Sequence, residues 1–280
     1  MKSAVTIFSR NAGDTLWLQV LESYAGQEKV FDTCILVDTE SSDRTVEYAL
    51  EYKWQIRRET VAEFNYGRTR RKMIEELYAQ GYDAVVFATQ DVVLAAPDTL
   101  KTLLENLQKT RAAVAYARQL PRNEKSFDGF CRLKNYPPHS RLKSKADIRE
   151  LGLMTPFCSN SLAAWDIRKV MAMGGFPDTV FGEDMLMGAR FIAAGETISY
   201  CAESCCIHEH RSTLGRIFRR GVDIGRLHGD HPSLKKEFGK IESCAARRLS
   251  FKEICRFFLP LAAKYCGYIT GYYGRKKGSC

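Results

Sequence analysis

No apolar run in this chain of 280 residues comes near the roughly 20 residues that a membrane-spanning helix needs. The longest candidate, Phe257 to Ala263, is short and contains Pro260. The opening segment, MKSAVTIFSRNAGD, lacks the longer apolar region and the small-residue cleavage site of a signal peptide, so a cytosolic chain is expected. There is no G-x-G-x-x-G and no G-x-x-x-x-G-K-[ST], which removes the dinucleotide fingerprint and the P-loop. Internal repeats and low-complexity tracts are also missing. A disulfide framework is not expected either, because ten cysteines scattered along a cytosolic chain of this size read as free thiols. One cluster, Cys201, Cys205, Cys206, His208 and His210, raises zinc, but its spacing fits neither usual zinc pattern.

What is present is charge, unevenly placed. The formal net charge is +9, from 42 Lys and Arg against 33 Asp and Glu. Residues 1–210 hold 26 basic and 28 acidic side chains, whereas residues 211–280 hold 16 and 5. The chain therefore divides into a near-neutral body, 1–210, and a basic extension, 211–280, which calls for an anionic partner. Hydrophobic residues at 45% and charged residues at 27% are globular values, and the length supports a sizeable core.

The body alternates short apolar runs with amphipathic stretches. Ala4 to Phe8, Cys34 to Val37, Trp54 to Arg57, Asp83 to Ala88 and Ala112 to Tyr116 read as strands. Asp14 to Tyr24, Asp43 to Tyr52, Arg68 to Ala79 and Pro97 to Leu107 read as helices. That alternation predicts a parallel or mostly parallel α/β sheet. Residues 121–150 lack periodicity and read as a long loop. Thr155 to Ala164 and Thr197 to Cys201 are further strands, and Asp166 to Met173 and Glu183 to Ala194 further helices. In the extension, a helix from Thr213 to His228 precedes a turn at Asp230-His231-Pro232 and an amphipathic stretch from Leu249 to Tyr273.

Ligands of α/β sheets sit beyond the carboxyl ends of the strands. Three of those exits are polar: Ser9-Arg10-Asn11, Asp38 in Val37-Asp38-Thr39, and Thr89-Gln90-Asp91. Asp91, between Val85-Val86-Phe87-Ala88 and Val92-Val93-Leu94, suits a hard divalent cation or a turn cap. Glu183-Asp184 opens a helix, where acids complement the dipole or serve as a general base. His208 and His210 follow a strand and suit either a satisfied histidine or a metal or phosphate contact. Arg219-Arg220, with Asp223 one turn on, suits a solvated face or a phosphate clamp.

Taken together, these segments resemble the family 2 glycosyltransferases of the GT-A fold, a Rossmann-like nucleotide-diphospho-sugar transferase architecture. The parts are Ile35-Leu36-Val37-Asp38 with Ser41-Ser42-Asp43-Arg44-Thr45, Phe64-Asn65-Tyr66-Gly67, Thr89-Gln90-Asp91, Phe157-Cys158-Ser159-Asn160-Ser161, Gly174-Gly175-Phe176, Phe181-Gly182-Glu183-Asp184-Met185, His208-Glu209-His210 and Phe218-Arg219-Arg220. The Thr-Gln-Asp form, the serine-asparagine segment and the Phe-Arg-Arg segment resemble the bacterial rhamnosyltransferases of surface polysaccharide assembly.

The resemblance implies an inverting, metal-dependent transferase. Its catalytic base is Asp184, beside Glu183. Its donor site includes Arg10, Asp38 at the base or ribose, Arg70, Thr89, Asp91, Asn160, Arg219 and Arg220. Its Mg2+ or Mn2+ is held by Asp91 and His208. The implied donor is dTDP-rhamnose and the implied acceptor a saccharide or polyprenyl-linked sugar. This chain departs from the family pattern at Thr89, where the D-x-D motif usually has its first Asp, at Tyr66, where His is common, and at Arg71, where Asn is common.

Two other readings compete. A sugar nucleotidyltransferase would carry a Gly-rich, Arg-containing loop after the first strand, which Ser9-Arg10-Asn11-Ala12-Gly13-Asp14 does not match. A nucleic-acid-binding protein would use the basic extension, but no nucleic-acid module is recognisable there, so nucleic acid is not an expected partner. Apolar Phe251, Ile254, Phe257, Phe258 and Leu261 recur at helical steps with Lys252, Arg256 and Lys264 between them and Arg275-Lys276-Lys277 after. That pattern suits core packing or an anionic membrane surface, which would place the protein at the inner face of the cell membrane.

Overall fold

The computed structural model describes residues 1–208, 213–239 and 249–274, with the side chain of Phe251 left aside. In chain order the elements are β1 (Ser3–Ser9), α1 (Thr15–Ala25), β2 (Thr33–Thr39), α2 (Thr45–Glu51), β3 (Gln55–Glu59), α3 (Tyr66–Ala79), β4 (Ala84–Thr89), β5 (Val92–Leu94), α4 (Thr99–Thr110), β6 (Val114–Leu120), α5 (Phe127–Asn135) and β7 (Arg141–Lys143). There follow α6 (Ile148–Leu151), β8 (Leu162–Asp166), α7 (Ile167–Ala172), α8 (Glu183–Ala193), β9 (Ile198–His208), α9 (Leu214–Asp230), α10 (Pro232–Phe238), α11 (Phe251–Arg256) and α12 (Phe258–Tyr273). They fall into two compact units. The first comprises Met1–Leu120, Tyr136–Lys145 and Pro156–His208, the second Pro121–Asn135, Ala146–Thr155 and Glu209–Cys280.

The first unit is built on one sheet of order β3-β2-β1-β4-β8-β6-β9-β5, with β7 on β9. All seven residues of β1 are buried, as expected for a strand with both faces covered. β3, β2, β1 and β4 run parallel, while β8 is antiparallel to both β4 and β6. The sheet is therefore mixed, which alternation alone did not reveal. On one face the core gathers Trp17, Val20, Leu21, Trp54, Leu100, Leu103 and Leu104 against Val5, Ile7, Val86 and Ala88. Polar caps set the helix starts: Asp14 accepts from Leu16 and Trp17 N–H, and Asn65 from Gly67 and Arg68 N–H.

Three segments differ from the sequence expectation. Residues 121–150 contain α5, β7 and part of α6 rather than a bare loop; α5 buries only Gly129 and Phe130, too few for a readable period. Of Thr155 to Ala164, only the part from Leu162 is strand, because the preceding residues turn, with Leu162 N–H on Ser159 O at 3.3 Å. The last strand runs on to His208 through a register shift opposite Ala117/Arg118.

The second unit is helical. The amphipathic stretch from Leu249 to Tyr273 forms two helices that break at Phe257, which is buried with its ring 4.9 Å from Phe130 and 5.6 Å from Phe127. Helices α9 and α12 pack backbone to backbone through glycine. A Cβ at Gly225 would stand 2.2 Å from Tyr268 O, and one at Gly271 would stand 2.0 Å from Val222 O. The outer face of α12 leaves Phe258, Leu259, Tyr265, Ile269 and Tyr273 exposed. Among the described residues no helix is long and apolar enough to cross a membrane.

Candidate active site

The parallel register aligns the proposed exits. Ser9 pairs with Asp38 and Phe8 with Thr89, so the ends of β1, β2 and β4 share one sheet edge. The exits are cross-linked. Arg10 N–H donates to Gln90 Oε1 at 2.9 Å, Asn11 N–H to Ser41 Oγ at 2.9 Å, Gly13 N–H to Asp43 Oδ2 at 2.8 Å, and Ala12 N–H to Thr45 Oγ1 at 2.7 Å. The Ser41–Thr45 segment thus holds the loop after β1 in place. The Arg10 side chain stays exposed.

Asp38 is fully buried at that edge. Its Oδ2 accepts from Arg58 Nη1 at 2.7 Å and Ser41 N–H at 3.2 Å. Its Oδ1 is buried with no hydrogen-bond partner among the described residues. A buried carboxylate oxygen left open is costly unless a ligand donor meets it. Arg58 escaped the sequence reading; the exit rule applied to β3 would have found it, since Arg58 pairs with Asp38 in register.

Strand β5 was missed because three residues carry no period, yet it places Asp91. Val92 pairs with His208 across β5 and β9. The carboxylate and imidazole meet, with His208 Nε2 3.3 Å from Asp91 Oδ1. Thr89 Oγ1 donates to the same Oδ1 at 2.7 Å, so Thr89 orients Asp91. His208 Nδ1 lies 2.9 Å from Gln119 Oε1, whose amide nitrogen donates to Tyr136 OH at 2.6 Å and Ser159 Oγ at 3.0 Å. Those donations turn the Gln119 oxygen toward His208, which puts the proton of a neutral ring on Nδ1 and the Nε2 lone pair toward Asp91. Two electron-rich atoms so close are stabilised by a cation or proton between them. A carboxylate oxygen and an imidazole nitrogen at this distance are donors that a divalent ion accepts. Among the described residues no group of three or more His, Cys, Asp or Glu side chains could hold a metal ion. His210, and with it part of the Cys201–His210 cluster, lies outside the described residues.

Glu183 and Asp184 open α8 after Gly182, which takes a left-handed φ of 74°. Their surroundings differ. Glu183 is buried and pairs with Arg70 Nη1 at 2.9 Å, while Asn160 Nδ2 donates to it at 2.9 Å. Asp184 is only partly covered, and its two oxygens accept from Asn160 N–H at 3.2 Å and Met185 N–H at 2.7 Å. Burial, then the Glu183 charge, push the Asp184 carboxyl up to about 6.

Arg70 reaches Glu183 because the start of α3 docks on the segment before α8. Gly67 N–H donates to Thr179 O at 3.0 Å, and a Cβ on Gly67 would lie 1.8 Å from Pro177 O. Arg71 Nε donates to Phe176 O at 2.7 Å. Gly67 and Arg71 of α3 form one side of this contact, and Gly175, Phe176, Pro177 and Thr179 the other.

The structure thus brings together Asp38 with the exit of Arg10, Asp91 with Thr89 and His208, and Glu183 and Asp184 with Arg70 and Asn160. Arg219 and Arg220 are exposed on α9 in the second unit.

The sequence matches glycosyl transferase family 2 over residues 5–169. It is 36% identical over 273 residues to the O-antigen chain rhamnosyltransferase WbaN of Salmonella anatum, covering 93% of this chain and 86% of that protein. It is also 36% identical over 284 residues to the O-antigen chain rhamnosyltransferase RfbN of Salmonella typhimurium, covering 97% and 90%. Among solved structures it is similar in fold to a Pyrobaculum calidifontis mannosyltransferase in complex with GDP-Man and Mn2+, with a TM-score of 0.62 and 15% identity over 100% of this chain and 76% of that one. A second is S. aureus TarS residues 1–349 in complex with UDP-GlcNAc, with a TM-score of 0.57 and 13% identity over 100% and 93%. With its GT-A-like α/β sheet and its carboxylates at the strand exits, the chain belongs to glycosyl transferase family 2.

Proposed function

We propose that this protein is an inverting glycosyltransferase of bacterial surface polysaccharide synthesis. It moves L-rhamnose from dTDP-rhamnose to a saccharide or lipid-linked acceptor. The observation that carries the reaction is the contrast at the head of α8: Asp184 is only partly covered and has no cationic partner within salt-bridge distance among the described residues, while Glu183 is buried against Arg70 and Asn160. One partly exposed carboxylate supplies one base. Asp184 takes the proton of the acceptor hydroxyl as its oxygen bonds to the anomeric carbon and the bond to the diphosphate breaks. Attack opposite the leaving group inverts that carbon, and the transition state has oxocarbenium character, as in glycoside hydrolysis.

The open Oδ1 of Asp38 suits an N–H or O–H of the nucleotide's base or ribose. Asp91 and His208 would hold Mg2+ or Mn2+, which when bound neutralises charge building on the departing diphosphate. Thr89 and Gln119 keep those two side chains in place. The rhamnosyl donor is supported by the two Salmonella relatives named above.

The test is a nucleotide-release assay over a panel of nucleotide sugars with and without added metal. Release from dTDP-rhamnose, its loss in Asp184→Asn with nucleotide binding retained, and loss of the metal response in Asp91→Ala are expected. Near-normal turnover by Asp184→Asn would overturn the assignment.

The outer face of α12 supports an anionic bilayer at the inner face of the cell membrane as the working surface. Its exposed Phe258, Leu259, Tyr265, Ile269 and Tyr273 form an uncharged stripe beside exposed Lys252 and Arg256 of α11. The Arg275-Lys276-Lys277 run that follows in sequence lies outside the described residues. Co-sedimentation with anionic vesicles, lost in Phe258→Ser/Leu259→Ser and absent with neutral vesicles, is expected. Equal binding to both vesicle types would sink the electrostatic part of the reading.

A further inference from the structure

The closed side of the carboxylate pair carries more than its own burial. Arg70 is 2% exposed, and its guanidinium carbon lies 4.7 Å from the Phe8 ring centroid, 5.3 Å from Tyr66 and 5.5 Å from Phe87. A cation so enclosed needs a counter-charge, and Glu183 supplies it at 2.9 Å. The same Glu183 oxygen accepts Asn160 Nδ2. Asn160 is turned that way because Trp165 Nε1 donates to its Oδ1 at 2.8 Å. Its backbone N–H then donates to Asp184 Oδ2 at 3.2 Å. One residue therefore grips both carboxylates, its side chain on Glu183 and its main chain on Asp184.

We propose that Arg70, Glu183, Asn160 and Trp165 form a buried relay of positioning residues that sets the place and charge environment of Asp184, with Arg70 serving Glu183 rather than the donor's phosphates. The relay rests on the reading of Asp184 as the base. It makes Glu183 an anionic strut, not a second proton acceptor. The charges facing Asp184 are Glu183 on its own helix and Arg70 from α3. The Cys158 thiol, whose Sγ lies 3.3 Å from Asp184 O, is pushed well up by burial and stays neutral, and Lys143 of β7 acts on that thiol.

The pair Arg70–Glu183 has no net charge, so removing either member alone moves Asp184 in opposite directions. Glu183→Gln leaves Arg70 uncompensated and strengthens the acid. Arg70→Gln leaves Glu183 uncompensated and weakens it. Removing both restores near neutrality. A residue that merely fills space would lower activity without moving a pH limb.

The experiment measures kcat/KM against pH, the Asp184 carboxyl by 13C NMR titration, and nucleoside diphosphate binding by calorimetry. Glu183→Gln is expected to move the acid limb down by about one pH unit, a tenfold change in proton affinity. Arg70→Gln is expected to move it up by a similar amount, and Arg70→Gln/Glu183→Gln to bring it back toward the wild-type position. Trp165→Phe keeps an aromatic ring but removes the Nε1 donor to Asn160, and is expected to lower kcat at least tenfold with donor KM unchanged. Nucleotide affinity should hold within about twofold throughout. A tenfold loss of nucleotide binding in Arg70→Gln with the limb unmoved would overturn the relay and make Arg70 a donor ligand. A limb that stays put in Glu183→Gln, or one that fails to return toward the wild-type position in the double variant, would also overturn it, and those two, which leave no buried carboxylate unpaired, carry the test if Arg70→Gln does not fold. Failure of the base reading itself is separable, because Asp184→Asn would then keep both its turnover and its acid limb.

Discussion

Replacing Gly225 by alanine tests the glycine-mediated packing of α9 on α12. The new Cβ would stand 2.2 Å from Tyr268 O, 2.8 Å from Tyr272 N and 3.0 Å from Tyr268 C. All three are backbone atoms, so no side chain can swing aside, and α12 must move off α9 by about an ångström to restore van der Waals distance. Overpacking of this kind costs about 1–3 kcal/mol, and rigid neighbours put the cost at the upper end. The higher helix propensity of alanine returns about 1 kcal/mol. The net loss is about 2 kcal/mol, roughly a thirtyfold rise in local opening. Gly215, near the start of the same helix, has nothing within 4 Å of its Cβ position. Gly215→Ala therefore keeps the propensity gain and should slow opening by up to about fivefold. Hydrogen exchange on peptides from α9 and α12 reads both. Exchange that is unchanged or slower in Gly225→Ala would refute the backbone-to-backbone packing.

Other expectations follow from the same geometry. Because the Asp184 carboxyl is pushed up to about 6 and must be ionised to accept a proton, kcat/KM should rise with pH to about 6 and level off above it. Buried His228 is pushed down to about 4, by burial first and then Lys235, beside the Tyr268 ring at 5.8 Å. Its folded value lies below its unfolded one, so stability is full above about 6.5 and falls toward pH 4 by up to about 1.4 kcal/mol per unit; His228→Phe should flatten that part of a denaturation series. Gly67→Ala drives a methyl onto Pro177 O and should withdraw Arg70 from Glu183, cutting turnover at least tenfold in the release assay.

Much of the candidate site was legible in the chain. Strand exits rich in polar residues named Asp38, Thr89 and Asp91, because alternation locates strand ends and ligands gather there. The Glu183-Asp184 pair announced a helix start. What eluded the reading were partners supplied by register. Arg58 and Gln119 sit in ordinary strands, and only their pairing opposite Asp38 and beside His208 gives them a task. Strand β5 is three residues long, too short for any period, yet its ladder with β9 is what joins Asp91 to His208.

The sequence by itself determined the α/β class, the family and the two kinds of acid, since local patterns and motifs are written in contiguous residues. The tertiary structure alone decided which of two adjacent carboxylates is buried in an ion pair and which stays partly exposed. Glu183 and Asp184 are one residue apart and chemically alike. A helix turns them about 100° from each other, so one meets Arg70 and Asn160 in the core while the other keeps a partly open face. The basic extension was likewise visible as charge, but whether α12 hides or shows its apolar residues depended on glycines that let it lie against α9 and leave its other face exposed.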